Sequence, residues 1–214
     1  MVYEPELPMI AIIGGSKIAT KIDLIESMLS RADKLVIGGA MANTFLKAMG
    51  KEVGKSLVDE NEINEAKRVI RVASQKNIDL VLPLIDVAVG RSVDKDAVRT
   101  EKPISEISGG DIILDFGEKS VEEVKRALVS AKTVIWNGPL GMTELDQFAY
   151  GTEELAKFLA KHEAKTVIGG GDSAGFIHSL GMENDFFHVS TGGGASLEFL
   201  SGKIPEAFEL IKNK

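Results

Sequence analysis

Residues 10–21 read "IAIIGGSKIATK": an apolar run, two glycines, then Lys17 and Lys21 four residues apart. The run is short, β-branched and apolar on both faces, as in a strand buried in a parallel sheet. Two readings of the lysines stand side by side. They hold a phosphate chain beside a glycine turn, or they form the solvated first turn of a helix.

The same pattern repeats along the chain. Short apolar runs fall at "MIAII" (9–13), "KLVI" (34–37), "DLVLP" (79–83), "DIILD" (111–115), "TVIW" (133–136), "KTVI" (165–168) and "FHVS" (187–190). Amphipathic stretches lie between them. In residues 59–76, Ile63, Ala66, Val69, Ile70 and Ala73 recur at helical spacing. Residues 120–131 and 152–162 read the same way. Alternation of strand and helix predicts an α/β fold with right-handed crossovers: a Rossmann-like three-layer α/β/α sandwich on a mainly parallel sheet. Residues 89–110 read as an irregular surface excursion, not a boundary, so residues 1–214 are expected to form a single domain.

Composition narrows the function. The chain has 214 residues, 44% hydrophobic, enough for a sizeable core. A formal charge of −7 argues against a nucleic-acid surface. There are no cysteines, hence neither disulfides nor thiolate metal sites, and His162, His178 and His188 form no paired ligand motif. No apolar run approaches the roughly 18 residues of a membrane span, and "MVYEPELP" does not read as a secretory signal. A cytoplasmic chain is the expectation.

Glycine then becomes the informative residue. It follows six of the seven runs: "IIGGSK", "VIGGAM", "LDFGEKS", "VIWNGPLG", "VIGGGDS" and "VSTGGGAS". In open parallel sheets ligands bind outside the carboxyl ends of the strands. Glycine turns there let backbone N–H groups approach an anion, and helix N-termini add positive potential. Six such exits predict a nucleotide-sized, phosphate-bearing ligand. "GKEVGKS" (50–56) is one residue short of a P-loop and follows a helix. The dinucleotide fingerprint is absent after the first strand, and no protein-kinase motif set is visible.

Side chains near these exits suggest roles. Asp172 in "GGGD" serves as a helix N-cap or as a Mg²⁺ contact beside phosphates; both readings stand. Glu144 accepts hydrogen bonds from ribose hydroxyls or is a solvated loop acid. Ser190 and Thr191 donate to phosphate or close a turn, and His188 reads as a packed histidine. No nucleophile–base pair is evident, and phosphoryl transfer requires none.

"GGSKIATK", "IGGAMANTFLKAMG", "GKSL", "VIWNGPLG", "FAYGTEELA", "IGGGDSAGFI" and "HVSTGGGASLEFLSGK" together resemble the successive signatures of the phosphoglycerate kinases, from about Pro8 to about Pro205. The likeness is to the C-terminal, nucleotide-binding half; the N-terminal half, with its basic cleft for 3-phosphoglycerate, has no counterpart. The resemblance implies a glycolytic kinase that transfers phosphoryl groups reversibly between ATP and 3-phosphoglycerate. It implies that Lys17 accompanies the transferred group and Lys21 the nucleotide phosphates. It sets Gly38, Gly39 and Gly117 at the adenine slot, Asn137 and Pro139 at the nucleotide, and Glu144 at the ribose. Gly170, Gly171, Asp172 and Ser173 become the phosphate loop, with Asp172 at Mg²⁺. Gly192, Gly193 and Gly194 become the loop facing the phosphoryl group in transit, with Gly193 and Gly194 catalytic. The expected partners are Mg-ATP or Mg-ADP, with 3-phosphoglycerate reached only through the other half. No nucleic acid or membrane is expected, and the chain reads as a monomer, poorly active alone. The other classes weighed are a non-catalytic nucleotide-binding module and a redox Rossmann protein. Thr20, and Met142 with Thr143, depart from the usual family pattern, as does the tail "GKIPEAFE".

Overall fold

A computed structural model describes residues 5–192, 198, 200 and 201. The backbone of the fold is a six-stranded, all-parallel sheet. Its strands are β1 (Met9–Ile13), β2 (Lys34–Ile37), β3 (Asp79–Val81), β7 (Thr133–Asn137), β8 (Lys165–Gly169) and β9 (His188–Ser190). Their order is β3-β2-β1-β7-β8-β9. β1 and β7 are central and buried along their whole lengths, which is why both read as unbroken apolar runs.

The chain moves outward from β1 to β3, then returns and moves outward the other way from β7 to β9. Crossovers of one hand on moves in opposite directions put their helices on opposite faces. One set is α1 (Ile22–Met28), α2 (Gly39–Ala48) and α3 (Ile63–Gln75). The other is α5 (Tyr150–Ala160) and α6 (Gly171–Ser179). α3 buries Ala66, Val69 and Ala73 and turns Glu65 and Arg68 outward, where Arg68 also reaches Glu26 of α1. Each fully buried Val, Leu or Ile contributes about 1.5–3 kcal/mol. The side chains of β1, β2, β7 and β8 therefore supply the main driving force for this layer.

A second sheet departs from the sequence expectation. β4 (Asp86–Gly90), β5 (Thr100–Pro103) and β6 (Ile112–Phe116) form a three-stranded antiparallel sheet in the order β5-β4-β6. "DIILD" is thus a strand, but of this sheet and not the parallel one. The stretch 89–110, expected to be irregular, holds the end of β4 and all of β5. Two buried aspartates tie this sheet to the helices. The carboxylate of Asp86 on β4 accepts N–H bonds from Lys119 (3.1 Å) and Ser120 (2.8 Å) at the start of α4 (Glu118–Leu128). That of Asp115 on β6 accepts from Gly151 (2.9 Å) in the first turn of α5. Neither helix carries a side-chain cap of its own, so the antiparallel sheet satisfies their orphan donors.

Candidate functional site

The strand order reverses between β1 and β7, and the loops leaving those two strands cross there. Gly14 donates to the carbonyl of Asn137 at 2.8 Å. A Cβ on Gly14 would stand 2.0 Å from the Pro139 carbonyl oxygen, and one on Gly138 2.4 Å from that of Gly14. Only two glycines allow the backbones to cross so closely. Gly39 begins α2 at φ 65°, where a Cβ would lie 2.5 Å from the Gly15 nitrogen. Its N–H donates to Leu140 O at 2.8 Å, and Met41 N–H to Gly15 O at 2.9 Å. Three glycine exits thus lock into one floor.

On that floor the polar side chains form a chain. Lys21 donates its ammonium to Asn137 Oδ1. Asn137 Nδ2 donates to Gly169 O at 2.8 Å. Ser173 Oγ accepts from Gly138 N–H at 2.6 Å. Burial pushes the Lys21 ammonium below its ordinary value, and the carboxylate of Asp172 opposes that shift. A half-buried cation held this way gains by meeting an anion.

A cavity of about 440 Å³ opens beside the floor. Gly15, Ser16 and Asp172, next in sequence to floor residues Gly14 and Ser173, are among its lining residues. Gly39, Ala42, Leu114, Leu140 and Met142 line an apolar slot, with Glu144, Lys55, Leu57 and Val93 also at its walls. The volume and the apolar slot suit a nucleoside, and the residues next to the floor suit its phosphates.

The structure sorts the expected residues. Gly39, Pro139, Glu144 and Asp172 line the cavity. Lys21, Asn137, Gly38, Gly170 and Ser173 build the floor behind it. Gly171 opens α6, whose N-terminal N–H groups lack helical partners. Gly117 is not among the lining residues: it starts α4, packed so close that a Cβ would lie 2.4 Å from the Asp86 carboxyl carbon. Gly192 is exposed after β9, and Gly193 and Gly194 lie outside the described residues. Lys17 is exposed, and neither lysine sits on a helix: α1 begins at Ile22, with Lys17 and Lys21 on the turn before it. The glycine edge of the parallel sheet has five exits, not six, because "LDFGEKS" leaves the antiparallel sheet. His188, expected to be packed, is exposed.

Capping also differs from expectation. The N-cap of α6 is Gly170, and no side chain caps the helix. The Asp172 carboxylate, exposed at the cavity, is therefore not spent on the backbone. Among the described residues no group of three His, Cys, Asp or Glu could enclose a metal ion. The exposed Asp172 carboxylate at the cavity fits Mg²⁺, which takes one or two carboxylates and completes its shell with phosphate oxygens and water.

These features define a class: open α/β proteins whose ligand site lies at the switch point of a parallel sheet. The phosphoglycerate kinase family model matches residues 1–203, and the chain belongs to that family. It is 45% identical over 213 residues to the phosphoglycerate kinase of Pseudothermotoga lettingae, covering 99% of this chain and 53% of that protein. It is 47% identical over 203 residues to that of Chlorobaculum tepidum, covering 94% and 51%. The solved phosphoglycerate kinase of Coxiella burnetii superposes with a TM-score of 0.92 at 39% identity, over 96% of this chain and 53% of that one. The chain spans about half the length of the relatives it matches. Among the described residues no helix is long and apolar enough to cross a membrane.

Proposed function

We propose that this chain binds Mg-ADP and Mg-ATP as the nucleotide-holding part of a phosphoglycerate kinase, which moves a phosphoryl group reversibly between ATP and 3-phosphoglycerate. The family match supports the reaction class. The observation that carries the siting is the Lys21–Asn137–Gly169 chain at the β1/β7 switch point, beside a nucleoside-sized cavity.

In this reading the base enters the slot between Gly39 and Leu114. Glu144 accepts from the ribose, and the phosphates run toward Gly15 and the start of α6. Asp172 would hold Mg²⁺, which neutralises phosphate charge when bound. Lys21, fixed by Asn137, sets a cation against the phosphates, and Lys17 is free to follow the transferred group. Positioning and charge stabilisation carry most of the barrier lowering in phosphoryl transfer. The 214 residues alone are expected to bind nucleotide yet turn over poorly, because in the family resemblance the basic cleft that orients the phosphoglycerate acceptor belongs to the other half.

Calorimetric titration with Mg-ADP tests the siting. Saturable binding, weakened by both Lys21→Ala and Asp172→Ala, is the expected result. Absence of binding to the wild-type chain would overturn it.

A further inference from the structure

Asp115 stands where β6, α5 and the cavity wall meet, and the phosphate side of the site makes no use of it. Its side chain is fully enclosed. Its two oxygens accept N–H bonds from Phe116 (2.8 Å) and Gly151 (2.9 Å). Two glycines lie flat against it: a Cβ on Gly141 would meet Oδ1 at 2.2 Å, and one on Gly151 at 2.6 Å. Gly141 belongs to the wall Pro139–Met142, all of whose residues line the cavity. The rest of that wall hangs between the same two elements. Met142 N–H reaches Leu114 O on β6 at 2.8 Å. The N–H groups of Leu140 and Gly141 reach Thr152 Oγ1 on α5 at 3.0 and 3.3 Å. Asp115 is the ionisable member of this junction.

Its neighbours leave the charge finely balanced. The two N–H donors favour the carboxylate. Arg99 also favours it, but at 3.8 Å, because that guanidinium spends its close contacts elsewhere. It reaches Glu101 at 2.6 Å and Phe116 O at 3.1 Å, and it lies 5.0 Å over the Tyr150 ring. Its Nε is buried without a partner. Around this cluster stand Glu101 on β5, whose charge opposes ionisation of Asp115, and Tyr150 on α5, which itself feels Glu118 and Lys125 of α4 and Glu154 of α5. Burial pushes the Asp115 carboxyl up to about 7, against the N–H donors and Arg99.

We propose that Asp115 is a positioning residue for the nucleotide: its ionised carboxylate accepts the Gly151 N–H and so fixes the first turn of α5, whose Thr152 hydroxyl holds the Pro139–Met142 wall, and proton uptake loosens that turn and wall and weakens binding. The inference rests on the nucleotide-binding reading. Linkage requires the reciprocal effect, so nucleotide binding makes Asp115 release its proton.

The test is Mg-ADP affinity from pH 6 to pH 8.5 for wild type, Asp115→Asn and Arg99→Gln. The terminal phosphate of ADP titrates near pH 6 as well, taking the phosphate value of about 6 as a guide, so the Asp115→Asn profile is the reference. Wild type is expected to lose about fivefold more affinity than that variant as pH falls from 8 to 6, a modest coupling. Arg99→Gln keeps the carboxylate but removes its nearest cation, so its midpoint is expected to move to higher pH. It carries the test if Asp115→Asn does not fold. Superimposable wild-type and Asp115→Asn profiles, or an Arg99→Gln midpoint that stays put, would overturn this inference alone. A wild-type chain that binds no Mg-ADP at any pH would overturn the nucleotide reading and this one with it.

Discussion

Lys21 and Asn137 come from opposite sides of the sheet's switch point, 116 residues apart, and are joined by a hydrogen bond from ammonium to amide oxygen. The bond fixes a flexible cation, and with it the Asn137 amide that donates to Gly169. Charge-assisted hydrogen bonds contribute about 1.5–3 kcal/mol. Lys21→Met is therefore expected to weaken Mg-ADP by roughly 10- to 100-fold, at 1.4 kcal/mol per tenfold. Asn137→Ala is expected to weaken it less, because the cation survives unanchored. Calorimetry on both variants checks the order; an Asn137 effect as large as that of Lys21 would contradict it.

Much of this layout is legible in the chain. The central parallel strands announce themselves because a strand buried on both faces is apolar at every position, as "MIAII" is, whereas the edge strands β3 and β9 are partly exposed and carry Asp79, His188 and Ser190. The antiparallel sheet is hidden because β5, "TEKP", is exposed at three of four residues and carries charge and proline. Only its pairing with β4 makes it a strand. The start of α1 is hidden too: no side chain caps it, so the sequence offers no boundary between the Lys17–Lys21 turn and the helix. Asp115 looks like any acid at a strand end. Its burial against Gly141 and Gly151 comes from contacts 26 and 36 residues away, which no local pattern encodes.

Ser173 illustrates a site residue whose hydroxyl works on the fold. It is buried, and its Oγ accepts the Gly138 N–H at 2.6 Å, holding the crossing loop. Ser173→Ala orphans a buried donor, a loss of about 1–3 kcal/mol. At 2–4 °C per kcal/mol for a domain of this size, Tm is expected to fall by roughly 2–12 °C. Thermal unfolding without nucleotide reads this; an unchanged Tm would return the hydroxyl to a purely ligand-binding role.

Two buried carboxylates set opposite pH slopes. Burial alone would raise Asp111, but Lys102, the N–H and hydroxyl of Ser108, and Arg91 more than offset it and hold it at about 2. A lowered carboxylate contributes stability that is present above its unfolded value and lost as pH falls through the folded one, here from about 4 to about 2. Asp115 is raised, so its contribution is fully present below about 4 and lost as pH rises through about 7. Lys102→Met is expected to move the acid unfolding midpoint upward. Asp115→Asn is expected to flatten the stability slope between pH 5 and pH 8. Denaturant titrations across pH separate the two, and a Lys102→Met chain with the wild-type acid midpoint would refute the first assignment.

Gly171 offers a change that should move stability and binding in opposite directions. It is the first residue of α6, it is exposed, and a Cβ there would meet nothing within 4 Å. Glycine in a helix is up to about 1 kcal/mol worse than alanine, and less at a terminus. On folding grounds alone, Gly171→Ala is neutral to stabilising. If phosphates approach the open N–H groups at this end of α6, the added methyl stands in their path, and Mg-ADP affinity is expected to fall by about tenfold or more. A variant that melts no lower than wild type yet binds more weakly would show that the glycine is kept for the ligand. A variant that binds as well as wild type would place the phosphates away from α6.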